Sequence, residues 1–293
     1  MEIAKHIPVL LKESIEGLSI KKGDVVVDGT FGGGGHSKEI YENFPDIKKL
    51  ICIDLDEDAK NRYEDIFKNK THIDFILDNF KNSEQILLKA KSSVVDKVIL
   101  DLGTSTFQLL NDTRGFSFNS DTALSMSFSK NGSHTGFSAY DIVNSWGEDS
   151  IADIIFFYGE EKKAKLIAKA IVNSRKNTPI KKSSELASII ETVIKKRGKI
   201  HPATKTFQAL RITVNDELQV IEQALDAWWR VLNKNGRIAV ITFHSLEDRI
   251  VKRWMKKQTN ERVITKKPII PTAIELKINK RSRSAKLRII EKI

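Results

Sequence analysis

Cysteine is almost absent, with Cys52 the only one among 293 residues. A lone cysteine excludes an intramolecular disulfide and any metal site built on paired thiolates. Its setting, Leu50-Ile51-Cys52-Ile53, is that of a small buried hydrophobe rather than a reactive thiol. Long apolar runs are missing too, and no stretch is long enough to cross a bilayer. Met1 to His6 has neither the apolar centre of a signal peptide nor the Arg/Ser character of a transit peptide, so a cytoplasmic protein is expected. No internal repeat, low-complexity linker or metal-binding pattern stands out, and no metal is expected.

What is present in excess is positive charge, and it is concentrated. The chain carries 49 Lys/Arg against 38 Asp/Glu. Residues 249–293 hold 15 of those cations and only 3 glutamates, a net +12, while the other 248 residues sum to −1. A basic patch of this kind attracts polyanions, because each neutralised phosphate releases counterions. The competing reading is a solvated lysine-rich surface, since Lys is common throughout the chain.

Short β-branched runs alternate with helical patterns through the first hundred residues. Asp24 to Asp28, Leu50 to Asp54, Ile73 to Leu77 and Val98 to Asp101 read as buried strands, with helical stretches at Ser37 to Phe44 and Glu57 to Phe67 between them. Continuous apolar strands separated by helices predict an α/β fold with a Rossmann-like, doubly wound parallel sheet. Arg237 to Phe243, after the Asn235-Gly236 turn, and Ala285 to Ile290 add late strands. Between them the character changes. Residues 107–140 are rich in Ser, Asn, Gly and Phe, and two helical patterns follow, through Ala164–Val172 and through Leu186–Ile194, the second with Gly198 as a stop. Phe207, Leu210, Val214, Leu218, Ile221, Leu225, Trp228 and Leu232 then step by three or four, predicting one long helix. The expected organisation is a sheet domain of residues 1–106 and 206–293 with a mainly helical substrate-recognition insertion at 107–205.

The strongest local signal is Asp28-Gly29-Thr30-Phe31-Gly32-Gly33-Gly34-Gly35-His36-Ser37. An acidic residue ends the first strand, and glycines let backbone approach a ligand at the strand's carboxyl end. Asp54 ends the second strand, 20 residues after Gly34, where a carboxylate accepts hydrogen bonds from a ribose diol. The spacing does not fit the dinucleotide fingerprint, because Ser37 stands where its last glycine belongs, and Asp28 would repel a pyrophosphate. A cationic sulfonium suits Asp28 better, so S-adenosyl-L-methionine is the expected cofactor. Asp101 ends the fourth strand and projects into the same crevice, where it orients the cofactor, accepts a bond from a substrate amine, or merely caps a loop. With Cys52 unsuited as a nucleophile, transfer to nitrogen or oxygen is favoured over transfer to a pyrimidine carbon.

Longer ordered segments carry a family resemblance. They are His6-Ile7-Pro8-Val9-Leu10, Asp28 to Ser37, Asp101-Leu102-Gly103, Arg114-Gly115-Phe116-Ser117-Phe118 and Tyr158-Gly159-Glu160-Glu161. They continue through His201 to Arg211, Asn215-Asp216-Glu217-Leu218, Phe243 to Arg249 and Arg281 to Arg288. Over nearly its full length the chain resembles the bacterial 16S ribosomal RNA cytosine-N4 methyltransferases. The resemblance implies methylation of the exocyclic amine of a cytosine in the decoding region of the small ribosomal subunit. It also implies a cofactor held by Gly34, Gly35, His36, Asp54, Phe80, Asp101 and Gln108.

The residues themselves leave several roles open. Phe80, just past the third strand, either packs on an adenine ring or belongs to the core. Lys205, Gln208, Arg211 and Asn215 share one side of a helix and face RNA, the pocket or solvent. Phe116 and Phe118 either stack on a flipped-out base or pack within the insertion. Arg281 and Arg283 are candidate RNA contacts, and Asp101 and His244 candidate catalytic groups, His244 otherwise structural. One departure is plain. Where the family usually reads Leu-Asp-Met-Arg-Met-Asp, this chain has Leu124-Ser125-Met126-Ser127-Phe128-Ser129, losing two carboxylates and an arginine. That loss motivates the competing reading of an impaired, RNA-binding ribosome-assembly factor of the same fold. A nicotinamide oxidoreductase is the third and remotest reading.

Overall fold

The computed structural model describes residues 7–105, 107, 113–118, 120–130, 132–195 and 201–293. Gln108 and Gly198 lie outside the described residues. Contacts divide the chain into two compact units, one of residues 1–105 with 218–293 and the other of 106–217.

In the first unit α1 (Leu11–Leu18) precedes β1 (Val25–Asp28), and β1, β2 (Lys49–Asp54), β3 (Ile73–Leu77) and β4 (Val95–Asp101) are joined through α2 (Gly35–Asn43), α3 (Glu57–Phe67) and α4 (Ser83–Lys89). The second unit holds α5 (Ala139–Ser145), α6 (Glu148–Phe157), α7 (Ala164–Arg175), α8 (Ser183–Val193) and α9 (Thr204–Asn215). The chain then returns through α10 (Glu217–Val231), β5 (Leu232–Thr242), α11 (Ser245–Met255), β6 (Glu261–Val263), α12 (Ala273–Ile278), a 3-10 turn (Lys280–Ser284) and β7 (Lys286–Lys292).

The seven strands form one sheet in the order β3-β2-β1-β4-β5-β7-β6. The first five are parallel; β7 runs antiparallel to β5, and β6 antiparallel to β7. The order reverses between β1 and β4, and ligands of doubly wound sheets bind at the carboxyl ends beside such a reversal. The apolar runs are continuous because both faces are covered. Val25, Val27, Ile53, Leu100 and Val240 pack with Leu87, Ile221, Trp228 and Trp254, while Val26, Cys52, Ile99 and Ile241 pack with Leu18, Ile40 and Phe67 on the other face. The Asn235-Gly236 turn sits inside β5 as an irregularity, with the register against β4 jumping between Leu232 and Arg237.

The second unit has its own core, in which Leu124, Met126, Ile142, Ile155, Ile167, Ile171, Leu186, Ile190 and Leu210 are buried. Two of its helices escape the periodicity reading. α5 is short but announced by a capping box, Ser138 with Asp141, and α6 carries apolar residues nearly all round. The predicted long helix is two. Asp216 adopts a left-handed conformation, φ 50°, which ends α9 before α10 begins. The apolar stripe runs unbroken across this point, so spacing alone does not reveal the break; the Asn-Asp pair, tolerant of that conformation, is the only sign of it. The compact unit runs past residue 205, the expected end of the insertion, and takes in α9, because Phe207, Ala209, Leu210 and Val214 are buried in its core.

Two family segments are tied to each other. Asp248 on α11 receives Arg288 Nε at 2.6 Å and Lys286 Nζ at 3.1 Å, both from β7. Arg288 is buried, so removing its carboxylate leaves a charge without a partner. Asp248→Ala is expected to lose about 3 kcal/mol of stability in urea unfolding, more than an exposed ion pair would contribute.

Candidate active site

Aspartates finish three adjacent strands, Asp28 on β1, Asp54 on β2 and Asp101 on β4, the last two each lying two residues beyond the residue opposite Asp28. Asp28 is buried; its Oδ2 accepts the Ser37 hydroxyl at 2.6 Å and its Oδ1 the Thr30 N–H at 3.2 Å. Burial pushes its carboxyl up from 3.8 to about 6, against the downward pull of those bonds. Asp101 is held well above the ordinary carboxylate range, first by burial and then by the negative charge of Asp28 and Glu247. Its backbone N–H donates to Thr30 Oγ1 at 2.6 Å, and its Oδ1 is buried without a hydrogen-bond partner among the described residues. His36, also buried, places Nδ1 3.9 Å from Asp101 Oδ2.

Asp54 does two things. Its Oδ2 accepts the Gly32 N–H at 2.7 Å and its Oδ1 the Asp56 N–H at 2.9 Å. Burial raises its carboxyl despite these donors. From the other side Arg62 Nε on α3 donates to the Gly32 carbonyl at 2.8 Å. The Gly32 peptide is thereby clamped at both ends. Arg62 and Thr30, which hold the site's backbone, escaped the sequence reading; only Thr30 carried a signal, as part of the glycine motif.

Gly34 and Gly35 both stand against protein side chains. Gly34 has φ 74°, and a Cβ there would overlap the Phe31 ring and Ile66; on Gly35 it would overlap the Pro8 ring. The missing side chains therefore admit protein atoms that brace the turn, which leaves its backbone groups to address a ligand. Phe80 follows β3, with its Cβ 3.4 Å from the point a side chain on Gly29 would occupy at the end of β1. Its ring is partly buried against the core, and its carbonyl accepts the Trp228 indole N–H at 2.7 Å.

His244 is the N-cap of α11, directly after β5. Its Nδ1 accepts the Glu247 N–H at 3.4 Å and its Nε2 lies 3.1 Å from Glu247 Oε1, so its observed contacts are those of a cap. Arg281 and Arg283 are exposed on the 3-10 turn. A groove of about 630 Å³ along the edge strand β3 is lined by Lys49, Tyr63, Asp74 and Lys89 among others, with Lys49 paired to Asp74 and Lys89 to Asp78. None of the strand-end aspartates lines it.

The remaining candidates belong to the second unit and are engaged within it. Asn215 is buried; its Nδ2 donates to the Met126 carbonyl at 2.7 Å and its Oδ1 accepts the Phe128 N–H at 2.9 Å. It holds the loop that departs from the family pattern. Arg211 pairs with Glu217 through two bonds of 2.7 and 2.8 Å, Gln208 Nε2 donates to the Tyr158 carbonyl, and Lys205 Nζ to the Glu160 carbonyl. Phe116 is buried and stacked on Phe128. Phe118 is only partly buried and stacks on His201 with ring centres 4.0 Å apart.

A model of the MraW methylase family matches residues 3–293. The chain belongs to that family. It is 43% identical over 309 residues to the ribosomal RNA small subunit methyltransferase H of Clostridium botulinum (strain Loch Maree / Type A3), covering 99% of both chains. The identity to the protein of the same name from Clostridioides difficile (strain 630) is also 43%, over 98% of this chain and 99% of that one. Among solved structures, an rRNA methylase from Streptococcus thermophilus aligns at a TM-score of 0.44 and 11% identity, over 97% of this chain and 93% of that one. No described helix of this methylase is long and apolar enough to cross a membrane.

The elevated carboxyls give the methylase a pH signature. The folded state binds the Asp28 proton more tightly than the unfolded state, so this site favours folding fully below pH 3.8 and loses that advantage as pH rises through about 6. The loss amounts to roughly 3 kcal/mol at neutral pH. Ligand-free Asp28→Asn is therefore expected to melt higher than the unaltered protein at pH 7.5, with the difference shrinking by pH 5 in scanning calorimetry.

Proposed function

We propose that this methylase transfers the methyl group of S-adenosylmethionine to the exocyclic N4 amine of a cytosine in 16S ribosomal RNA, in the decoding region of the small subunit. The observation that carries the reading is the partly buried Asp101 carboxylate, whose buried Oδ1 has no hydrogen-bond partner among the described residues, beside Asp28 and at the strand ends where donor and substrate would meet. The donor set fits the cofactor. Two crowded carboxylates with raised pKa favour a cationic ligand. The lone pairs of Asp54 left over from Gly32 and Asp56 accept ribose hydroxyls, and Phe80 offers a ring to the base. Bound there, S-adenosylmethionine supplies a methyl group on a positively charged sulfur.

The chain's own residues then do the rest. Asp101 Oδ1 accepts a hydrogen bond from the cytosine amine, holds its nitrogen lone pair in line, and takes its proton as the nitrogen gains the methyl. A carboxyl raised above its usual range is the stronger base for that transfer. A covalent route through cysteine is closed: Cys52 is fully buried beside Ser37, and burial pushes its thiol well up. Phe118, less buried than Phe116, is the better candidate to stack on an unpaired base, and Arg281 and Arg283 to meet phosphate in the cytoplasm where subunits are built. The loss of two carboxylates and an arginine at residues 125–129 does not leave the loop unsupported. Arg114 and Asn215 hold its backbone, and Ser127 Oγ donates to the Ser129 carbonyl. That favours an active enzyme over a binding-only assembly factor.

Small subunits incubated with the protein and labelled S-adenosylmethionine are expected to gain one N4-methylated cytosine, mapped by nuclease digestion and mass spectrometry. Asp101→Asn should lower kcat by about a hundredfold or more. Label on carbon five of the ring, or turnover in Asp101→Asn equal to that of the unaltered protein, would refute the assignment.

A further inference from the structure

α12 is unusual in burying none of its residues: Ile274 and Ile278 are 71% and 64% exposed. Core packing therefore does not explain its place. What holds it is a pair of side-chain hydrogen bonds to the segment 7–10. Glu275 Oε1 accepts the Leu10 N–H at 2.9 Å, and Asn279 Nδ2 donates to the Ile7 carbonyl at 2.9 Å. Between those two anchor points lies Pro8, whose ring fills the space beside Gly35 at the start of α2. Leu10 is fully buried in a left-handed conformation, φ 50°, which is unfavourable for a leucine by about 1 kcal/mol and persists only where tertiary contacts impose it.

Asn279 also faces the other way. Its Oδ1 accepts the Arg281 N–H at 3.2 Å, and its carbonyl accepts the buried Ser282 hydroxyl at 2.7 Å. One side chain thus joins the basic turn, with Lys277, Lys280, Arg281 and Arg283 exposed, to the strap that braces the glycine turn.

We propose that Glu275 and Asn279 are positioning residues for the methyl-donor site. Through Ile7–Leu10 they hold Pro8 against Gly35, and through Asn279 they link phosphate binding at the basic turn to donor affinity at the glycine turn. The linkage rests on the reading of the substrate as ribosomal RNA; the positioning role does not. By reciprocity, subunit binding tightens the donor site by the factor with which donor tightens subunit binding.

The test is equilibrium dialysis of labelled S-adenosylhomocysteine against the full chain, with and without small subunits, subunit binding being measured separately by sedimentation. In the unaltered protein, subunits are expected to tighten S-adenosylhomocysteine binding about fivefold or more. Asn279→Asp keeps the acceptor for Arg281 but removes the donor to Ile7, and Glu275→Ala removes the acceptor for Leu10. Both should weaken binding severalfold without subunits and reduce the coupling to under twofold, with melting temperatures close to that of the unaltered protein. Glu275→Gln, which keeps an acceptor without the charge, should restore both. Donor affinity unchanged in Asn279→Asp and Glu275→Ala overturns the positioning role. Absent coupling in subunit-bound unaltered protein overturns the linkage. Failure of subunits to sediment with the protein refutes the substrate reading instead, and leaves the donor-affinity comparison to decide the positioning role.

Discussion

The crowding of carboxylates at the carboxyl edge of the sheet is the constraint on which the rest of the site depends. Parallel strands lie about 4.8 Å apart, so an aspartate at each of three strand ends brings like charges together in a buried place. Beyond burial, the charge of Asp54 raises Asp28, and the charges of Asp28 and Glu247 raise Asp101. The protein answers mostly with neutral donors: the Ser37 hydroxyl and the N–H groups of Thr30, Gly32 and Asp56. Of these aspartates only Asp54 is lowered by a cation, Arg62, and that is the least of its influences. Such an edge works against folding in the ligand-free chain and becomes favourable when a positive ligand enters. Local rules broken at a ligand site and upheld elsewhere are what a binding function leaves in a structure.

Around that edge, several sequence segments far apart in the chain act as pairs. The Asp28–Ser37 motif closes on itself through the Ser37 bond to Asp28 and on β4 through Thr30 and the Asp101 N–H. Asp248 of α11 answers Lys286 and Arg288 of β7. In the second unit Asn215 answers the backbone of Met126 and Phe128, and Arg211 answers Glu217. Many of the polar residues in these segments therefore hold backbone and one another, and fewer of them remain to touch a substrate than their number suggests. Lys205, Arg281 and Arg283 are the exposed residues among the described RNA candidates, and Phe118 is partly buried.

The sequence by itself determined the sheet and the chemistry at its edge. A period-two burial on two faces demands continuous apolar strands, and an aspartate at the end of each of three such strands has nowhere to go but the carboxyl edge, so Asp28, Asp54 and Asp101 were legible before any coordinates. So was the exclusion of a cysteine nucleophile, because Cys52 lies within a buried run. What only the tertiary structure decided was which partner each group meets. The helix break at Asp216 leaves the apolar stripe unchanged, since left-handed backbone at one residue does not alter spacing. The glycines at 34 and 35 make room for Phe31, Ile66 and Pro8, a fact about neighbours 3 to 32 residues away that composition does not encode. The tether of Glu275 and Asn279 to the segment 7–10 spans more than 260 residues. Local patterns record propensity and burial; long-range hydrogen bonds depend on where the chain returns, and only the folded chain fixes that.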